Sequence, residues 1–132
     1  MCENYDKIIV LRQLKPIIKR DPDAGILTFA GKLLNNGKEC GALNGETKLT
    51  PSLKNNKHKT RIRNLYFNLI YGQIMAQGLS DEYNSAGLLE NSHITAIVGG
   101  TKEYEGISGK IKTTRIKDTN EYEHIVYINY PN

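Results

Sequence analysis

Along most of this chain apolar and polar residues alternate with a period of two, and the helical period of 3.6 is nearly absent. No window of about 11 residues or more keeps apolar residues at i, i+3, i+4 and i+7 between helix caps. Runs rich in β-branched and aromatic residues, bounded by Gly, Pro, Asn and Asp, predict eight strands. They are Asp6–Leu11, Ile26–Leu34, Glu39–Leu49, Thr60–Ile70, Gly72–Ser80, His93–Gly99, Ser108–Lys117 and Glu121–Tyr130.

The connections between these runs are mostly short. Asn36-Gly37 is a strong two-residue hairpin signal, because both residue types tolerate positive φ. Asp118-Thr119-Asn120 reads as a tight turn, and Tyr71-Gly72 joins two strands with almost nothing between them. Asp21–Gly25, Lys48–Lys59 and Ser80–Ser92 read as longer loops, the last as a place for mobility or a lid. Consecutive, closely linked strands predict an antiparallel meander. Closing it into an eight-stranded up-and-down β-barrel removes both exposed edges and leaves an interior that is just filled or holds one small ligand. A sandwich is the alternative all-β arrangement.

Composition narrows this without redirecting it. The chain has 132 residues, 39% hydrophobic and 24% charged, which fits one globular domain over residues 1–132 with a loose terminus at 1–5. No apolar run approaches the ~20 residues of a membrane helix. "KIIVLRQL" is too short and too charged for a signal peptide, so a cytoplasmic protein with no membrane partner is expected. Cys2 and Cys40 are expected as free thiols. His58, His93 and His124 stand far apart without ligand spacing, so no metal site is expected. They read as surface or hydrogen-bonded histidines. Net charge is +4, and much of the excess lies in Lys54–Arg63, "KNNKHKTRIR". That run reads as a solvated loop ahead of a nucleic-acid contact.

One stretch carries more. "AIVGGTKEYEGISGKI", Ala96–Ile111, holds four glycines. It lacks the G-x-x-x-x-G-K-[ST] of a phosphate loop, since Ile111 follows Gly109-Lys110, and it lacks G-x-G-x-x-G. A barrel corner fits better, with Gly99-Gly100 ending one strand, a tight turn over "TKEYEG", and Gly106 and Gly109 bending the chain into the next.

Together with "YGQIMAQG", Tyr71–Gly78, this stretch resembles the paired signature of the allene oxide cyclase-like and dirigent-like barrel superfamily. The match runs from about Arg63 to Ile116, with Lys102 where the family usually has another glycine. The resemblance implies an eight-stranded barrel with a hydrophobic lumen, in a homo-oligomer (dimer or trimer). Its members include plant allene oxide cyclases, dirigent proteins that orient radical coupling, and small bacterial polyketide cyclases, among them spirotetronate-forming Diels–Alderase-like enzymes. The last are nearest in size and kind. The glycines shape the barrel and do no chemistry, so the motif speaks to fold before reaction.

Alternate residues of a barrel strand face inward. On Thr60–Ile70 two buried arginines would be costly, which favours Ile62, Asn64, Tyr66 and Asn68 as the inward set over Arg61 and Arg63. The resemblance implies the same parity, with Ile74, Ala76 and Ser80 inward and Phe29 and Thr47 as neighbours. Ile111, Thr113 and Arg115 form the more apolar face of the seventh predicted strand, with Arg115 at a barrel mouth. The last strand leaves two faces open, Tyr122/His124/Val126/Ile128/Tyr130 or Glu123/Ile125/Tyr127/Asn129. Literal allene oxide cyclase activity is not expected, because a cysteine and a tyrosine of the plant site fall on Thr47 and Ser80 and an early glutamate has no counterpart.

The expectation is a cofactor-independent cyclase or isomerase. It would fold a hydrophobic, oxygenated polyene- or polyketide-like substrate so that its reacting ends meet. Tyr66, Asn64 and Asn68 are the candidate hydrogen-bond donors to a carbonyl, with Arg115 at the rim. Phe29, Thr47, Ile62, Ile74, Ala76, Ser80, Ile111 and Thr113 are the candidate substrate contacts. A non-catalytic, lipocalin-like binding barrel is the alternative, and a single-strand nucleic-acid barrel comes third.

Overall fold

The computed structural model describes residues 4–50, 60–80 and 92–132. Among them nine strands follow one another: β1 (Lys7–Gln13), β2 (Ile17–Asp21), β3 (Ile26–Asn35), β4 (Lys38–Thr50), β5 (Thr60–Leu69), β6 (Gly72–Ser80), β7 (His93–Gly100), β8 (Ser108–Arg115) and β9 (Tyr122–Asn129). The helical content of the described residues is one 3₁₀ turn, Lys102–Tyr104. The expectations for Cys2, His58 and the body of the Ser80–Ser92 lid fall outside the described residues.

Neighbours from β2 to β9 pair antiparallel in chain order, and β1 pairs with β9 over its full length, Lys7↔Ile128 to Gln13↔Tyr122. The far edge of β1 meets β3 at Arg12↔Leu34 and Gln13↔Leu33, closing an eight-stranded antiparallel barrel. Leu14 N–H adds one more bond of 3.0 Å to the Lys32 carbonyl before Pro16, which has no N–H to donate.

The ninth strand is the one that pattern reading passes over. β2 lies along the other half of β3, from Ile17↔Ala30 to Asp21↔Ile26, and pairs with nothing else among the described residues. All five of its residues are exposed, so "IIKRD" has no alternation to betray it. β3 is therefore flanked by β1 near one end of the barrel and by β2 near the other. β2 and β9 share no ladder among the described residues.

The turns behave as their sequences require. Asn36 and Gly37 both take positive φ, 52° and 78°. Asp118 sits at φ 62°, with Thr119 N–H on the Ile116 carbonyl at 3.1 Å. At the glycine corner Gly109 has φ +137° and lies so close to β9 that a Cβ would run into the Tyr127 carbonyl. Lys102, the departure from the glycine pattern, adopts left-handed φ 54°, a conformation that suits glycine.

Register decides what faces inward, and here it corrects the sequence reading. The β5–β6 turn has two residues, Ile70 and Tyr71, so Leu69 pairs with Gly72, Phe67 with Ile74, Leu65 with Ala76 and Arg63 with Gly78. Odd positions of β5 thus share a face with even positions of β6. Ile74 and Ala76 do point inward, and for that reason Arg63, Leu65 and Phe67 do too. Ile62, Asn64, Tyr66 and Asn68 lie on the outside, Ile62 and Tyr66 at 45% and 43% exposure. On β9 the inward face is Tyr122, His124, Val126 and Ile128.

Over most of its length the lumen is solid. Leu43, Leu65, Phe67, Ile74, Ile111 and Val126 are fully buried in one cluster that fills the middle of the barrel. Polar inward residues gather at the end where β1 and β4 finish and β9 begins, and there the packing opens.

Candidate functional site

The opening is a cavity of about 70 Å³ at that end of the barrel. Gln13, Thr47, Arg63, His93, Thr113 and His124 form its polar side. Leu27, Phe29 and Leu43 form its apolar side, and β2 closes it from above with Ile18 and Arg20. Phe67, in the packed core, sets its ring edge-on to His124 at 5.2 Å between centroids. Gly45, opposite Phe29, leaves the space that the Phe29 ring occupies.

His124 is fixed at both nitrogens. Its Nε2 lies 2.7 Å from Gln13 Oε1 and its Nδ1 lies 2.8 Å from Thr113 Oγ1. A carboxamide oxygen only accepts, so Nε2 carries the proton, Nδ1 accepts, and the Thr113 hydroxyl donates to it. All three side chains are buried. The imidazole is held neutral: burial first, and then the nearby Arg63 guanidinium, push its pKa down to about 3. Next to it His93 is pushed down to about 2 by burial, then Arg63, then His124. At neutral pH the cavity offers two uncharged imidazoles beside guanidinium groups. Arg63 itself is only 4% exposed. Arg61 reaches in from the rim, its Nη1 donating to Thr47 Oγ1 at 3.0 Å. Both come from "TRIR", which the sequence reading placed on a solvated face. Two of the cations behind the nucleic-acid alternative are thus turned into the barrel.

Of the residues expected at the site, Phe29, Thr47 and Thr113 line the cavity. Ile74, Ala76 and Ile111 face inward but belong to the packed interior. Arg115 ends β8 at the same mouth, half-buried, its Nη1 donating to the Thr119 carbonyl at 3.3 Å. Ser80 pairs through its backbone with Arg61. Asn64, Tyr66, Asn68 and Ile62 are corrected to the outer surface, where Asn64 Nδ2 donates to Glu46 Oε1 at 3.1 Å and Tyr66 borders an external groove. Gln13, His93, Arg61 and Arg63 were missed, and Tyr122 and His124 stood only on one of two faces left open for the last strand. The usable signal was the two-residue β5–β6 turn, which couples opposite parities.

Among the described residues no three His, Cys, Asp or Glu side chains come together as a metal-ligand set. Cys40 is a free thiol, as expected. No helix among the described residues is long and apolar enough to cross a membrane.

No protein-family model matches the sequence, and no curated protein does. Solved structures do. A pyocyanin demethylase superposes with a TM-score of 0.73 over 93% of this chain and 100% of that one, at 20% identity. An exo-specific intermolecular Diels–Alderase gives 0.69 over 92% and 95%, at 15% identity. A pterocarpan synthase dirigent protein gives 0.64 over 98% and 100%, at 11% identity. The fold is that of the cyclase and dirigent barrels. The glycine signature had pointed to it. At these identities the likeness carries the architecture alone, and the different activities named for these neighbours share one cylinder. In this barrel, chemistry has to be argued from the cavity.

Proposed function

We propose that the chain is a cofactor-independent small-molecule cyclase or isomerase working at one mouth of the barrel. The carrying observation is the cavity itself, where an apolar wall faces a fixed row of hydrogen-bonding groups. A hydrophobic, oxygenated substrate puts its oxygenated end among Arg61, Arg63 and His93, and folds its apolar body against Leu27 and Phe29. The guanidinium donors polarise a carbonyl in a dry setting, and confinement brings the reacting ends together. Thr47 and Thr113 orient this arrangement through Arg61 and His124, and Arg115 stands at the rim. The donor role assigned from sequence to Tyr66, Asn64 and Asn68 passes to these inward groups.

The test is turnover of candidate linear polyene substrates by the full chain, followed by chiral chromatography. Acceleration with a fixed product stereochemistry, lost in Arg61→Met, supports the reading. Cyclisation at the uncatalysed rate with unchanged stereochemistry overturns it.

A second reading, a binding barrel without catalysis, draws support from His124. Both its nitrogens are committed to fixed partners, which leaves no free position for proton transfer. Ligand binding with no turnover would decide for it. The proposed homo-oligomer draws on an outward apolar row, Ile62, Leu79 and Ile94, on three adjacent strands. Sedimentation velocity reading a monomer would remove it.

A further inference from the structure

Phe29 lies along the inner wall of the barrel, with the far end of its ring over β4. The residue opposite it there is Gly45. A Cβ on Gly45 would meet Cε2 and Cε1 of the ring at 2.8 and 2.9 Å and Cζ closer still, so the ring fills the place where that side chain would stand. The backbone does not require glycine at this position, since Gly45 is not among the residues with positive φ. Inside a strand glycine weakens the ladder and packs nothing of its own, and it often marks a close approach. Here the approach is that of the ring. Leu43 and Thr47, on either side of Gly45 along the same face, flank the niche and line the cavity. On the other side of Phe29 its partner is Ile18 of β2, which offers no such space.

The niche decides how much of the mouth stays open. With the ring seated in it, the cavity measures about 70 Å³. A cavity of about 150 Å³ is the size that takes up benzene in a protein interior. Moving the ring off Gly45 would place it in the space a guest needs, and removing it would free a volume the size of a phenyl group.

We propose that the Phe29–Gly45 pair sets the specificity of this site. It admits a guest whose oxygenated end is compact and excludes one with a ring beside the carbonyl, while the remaining apolar body runs out past Ile18 and Leu27. Phe29 makes the contact, and Gly45 is the positioning residue that acts through it. The inference rests on the reading of the cavity as a small-molecule site and adds the shape of the end that enters.

Two ketones that share a carbonyl and a butyl chain test it: 2-hexanone, which ends in a methyl group, and valerophenone, which ends in a phenyl group. NMR titration of the full chain reads both affinities. Phe29→Ala is expected to raise valerophenone affinity at least about tenfold and to change that of 2-hexanone less than about threefold. Gly45→Ala is expected to push the ring into the cavity and weaken 2-hexanone about tenfold. In the Phe29→Ala background the same change should cost nothing, because the new methyl group enters an empty niche. A merely structural Gly45 would lower the melting temperature without altering which ketone binds. If Phe29→Ala does not fold, Phe29→Leu carries the same prediction with a smaller gain. Equal valerophenone binding by the native chain and the Phe29 variant overturns the inference and, with 2-hexanone still bound, leaves the small-molecule site standing. A Gly45→Ala penalty that persists without the ring also overturns it. Failure of both ketones to bind any of these chains sinks the site reading and the inference together.

Discussion

Acid should undo this barrel through its two buried histidines. In the folded chain His124 and His93 titrate at about 3 and about 2, against 6.5 for a free imidazole. Their folded pKa values lie below the unfolded ones, so the unfolded chain binds more protons at every pH between those limits. Stability is therefore full above about pH 6.5 and falls as pH drops toward 3. Each histidine contributes a slope of about 1.4 kcal/mol per pH unit over that window. From about pH 7.5 to about pH 4.5 the pair should remove about 5 kcal/mol, a large share of the 5–15 kcal/mol typical of a domain. The figure depends only on both imidazoles staying neutral in the fold at the lower pH. Urea unfolding at several pH values between these limits reads it directly. His93→Gln, which removes one of the two titrations, should cut the slope by about half. A stability that stays flat between about pH 6.5 and 4.5 would refute the buried-neutral account.

Three further outcomes follow from the geometry. Thr113→Val takes the donor from His124 Nδ1 and leaves a buried acceptor unsatisfied, so urea denaturation should show a loss of about 1–3 kcal/mol, which Thr113→Ser largely avoids. Lys102→Gly relieves the left-handed strain at φ 54°, offset by glycine's extra unfolded freedom, and should stabilise by about 0.5–1 kcal/mol, a melting shift of a few degrees upward. Gly109→Ala combines φ +137° with a collision at the Tyr127 carbonyl and should cost about 3 kcal/mol or abolish soluble expression. A near-neutral result would mean that the β8–β9 approach is looser than described.

Element boundaries were legible wherever alternation met turn chemistry. β6 matches its predicted bounds, and β3, β4, β5 and β7 fall within one residue of theirs, because each is buried on one face and bounded by glycine, asparagine or a tight turn. β2 was illegible because it buries neither face. Inward parity on β5 was misread by one assumption, that two arginines do not enter a barrel. "TRIRNLYFNL" gives that assumption no internal check, since both of its faces mix apolar and polar residues. The neighbouring strand held the check, through register. The candidate site suffered accordingly: Thr113 was found from its own strand and Thr47 and Phe29 from the family resemblance, while the arginines and histidines beside them needed the three-dimensional pairing. His124 in particular was one of two alternatives on a strand whose faces look alike in sequence.

The pairing of β1 with β9 has a consequence for how the chain is made. Asp6 and Asn129, joined by a hydrogen bond next to that ladder, stand 123 positions apart. During synthesis β3 to β8 can form their hairpins in turn as they emerge, but β1 finds its long partner only once β9 has left the ribosome. Until then its alternating apolar residues Ile9 and Leu11 have no interior to enter, and β8 presents an open edge. Closure is thus the final event in assembling the molecule, and the cavity mouth, built where β1 ends and β9 starts, comes into being with it.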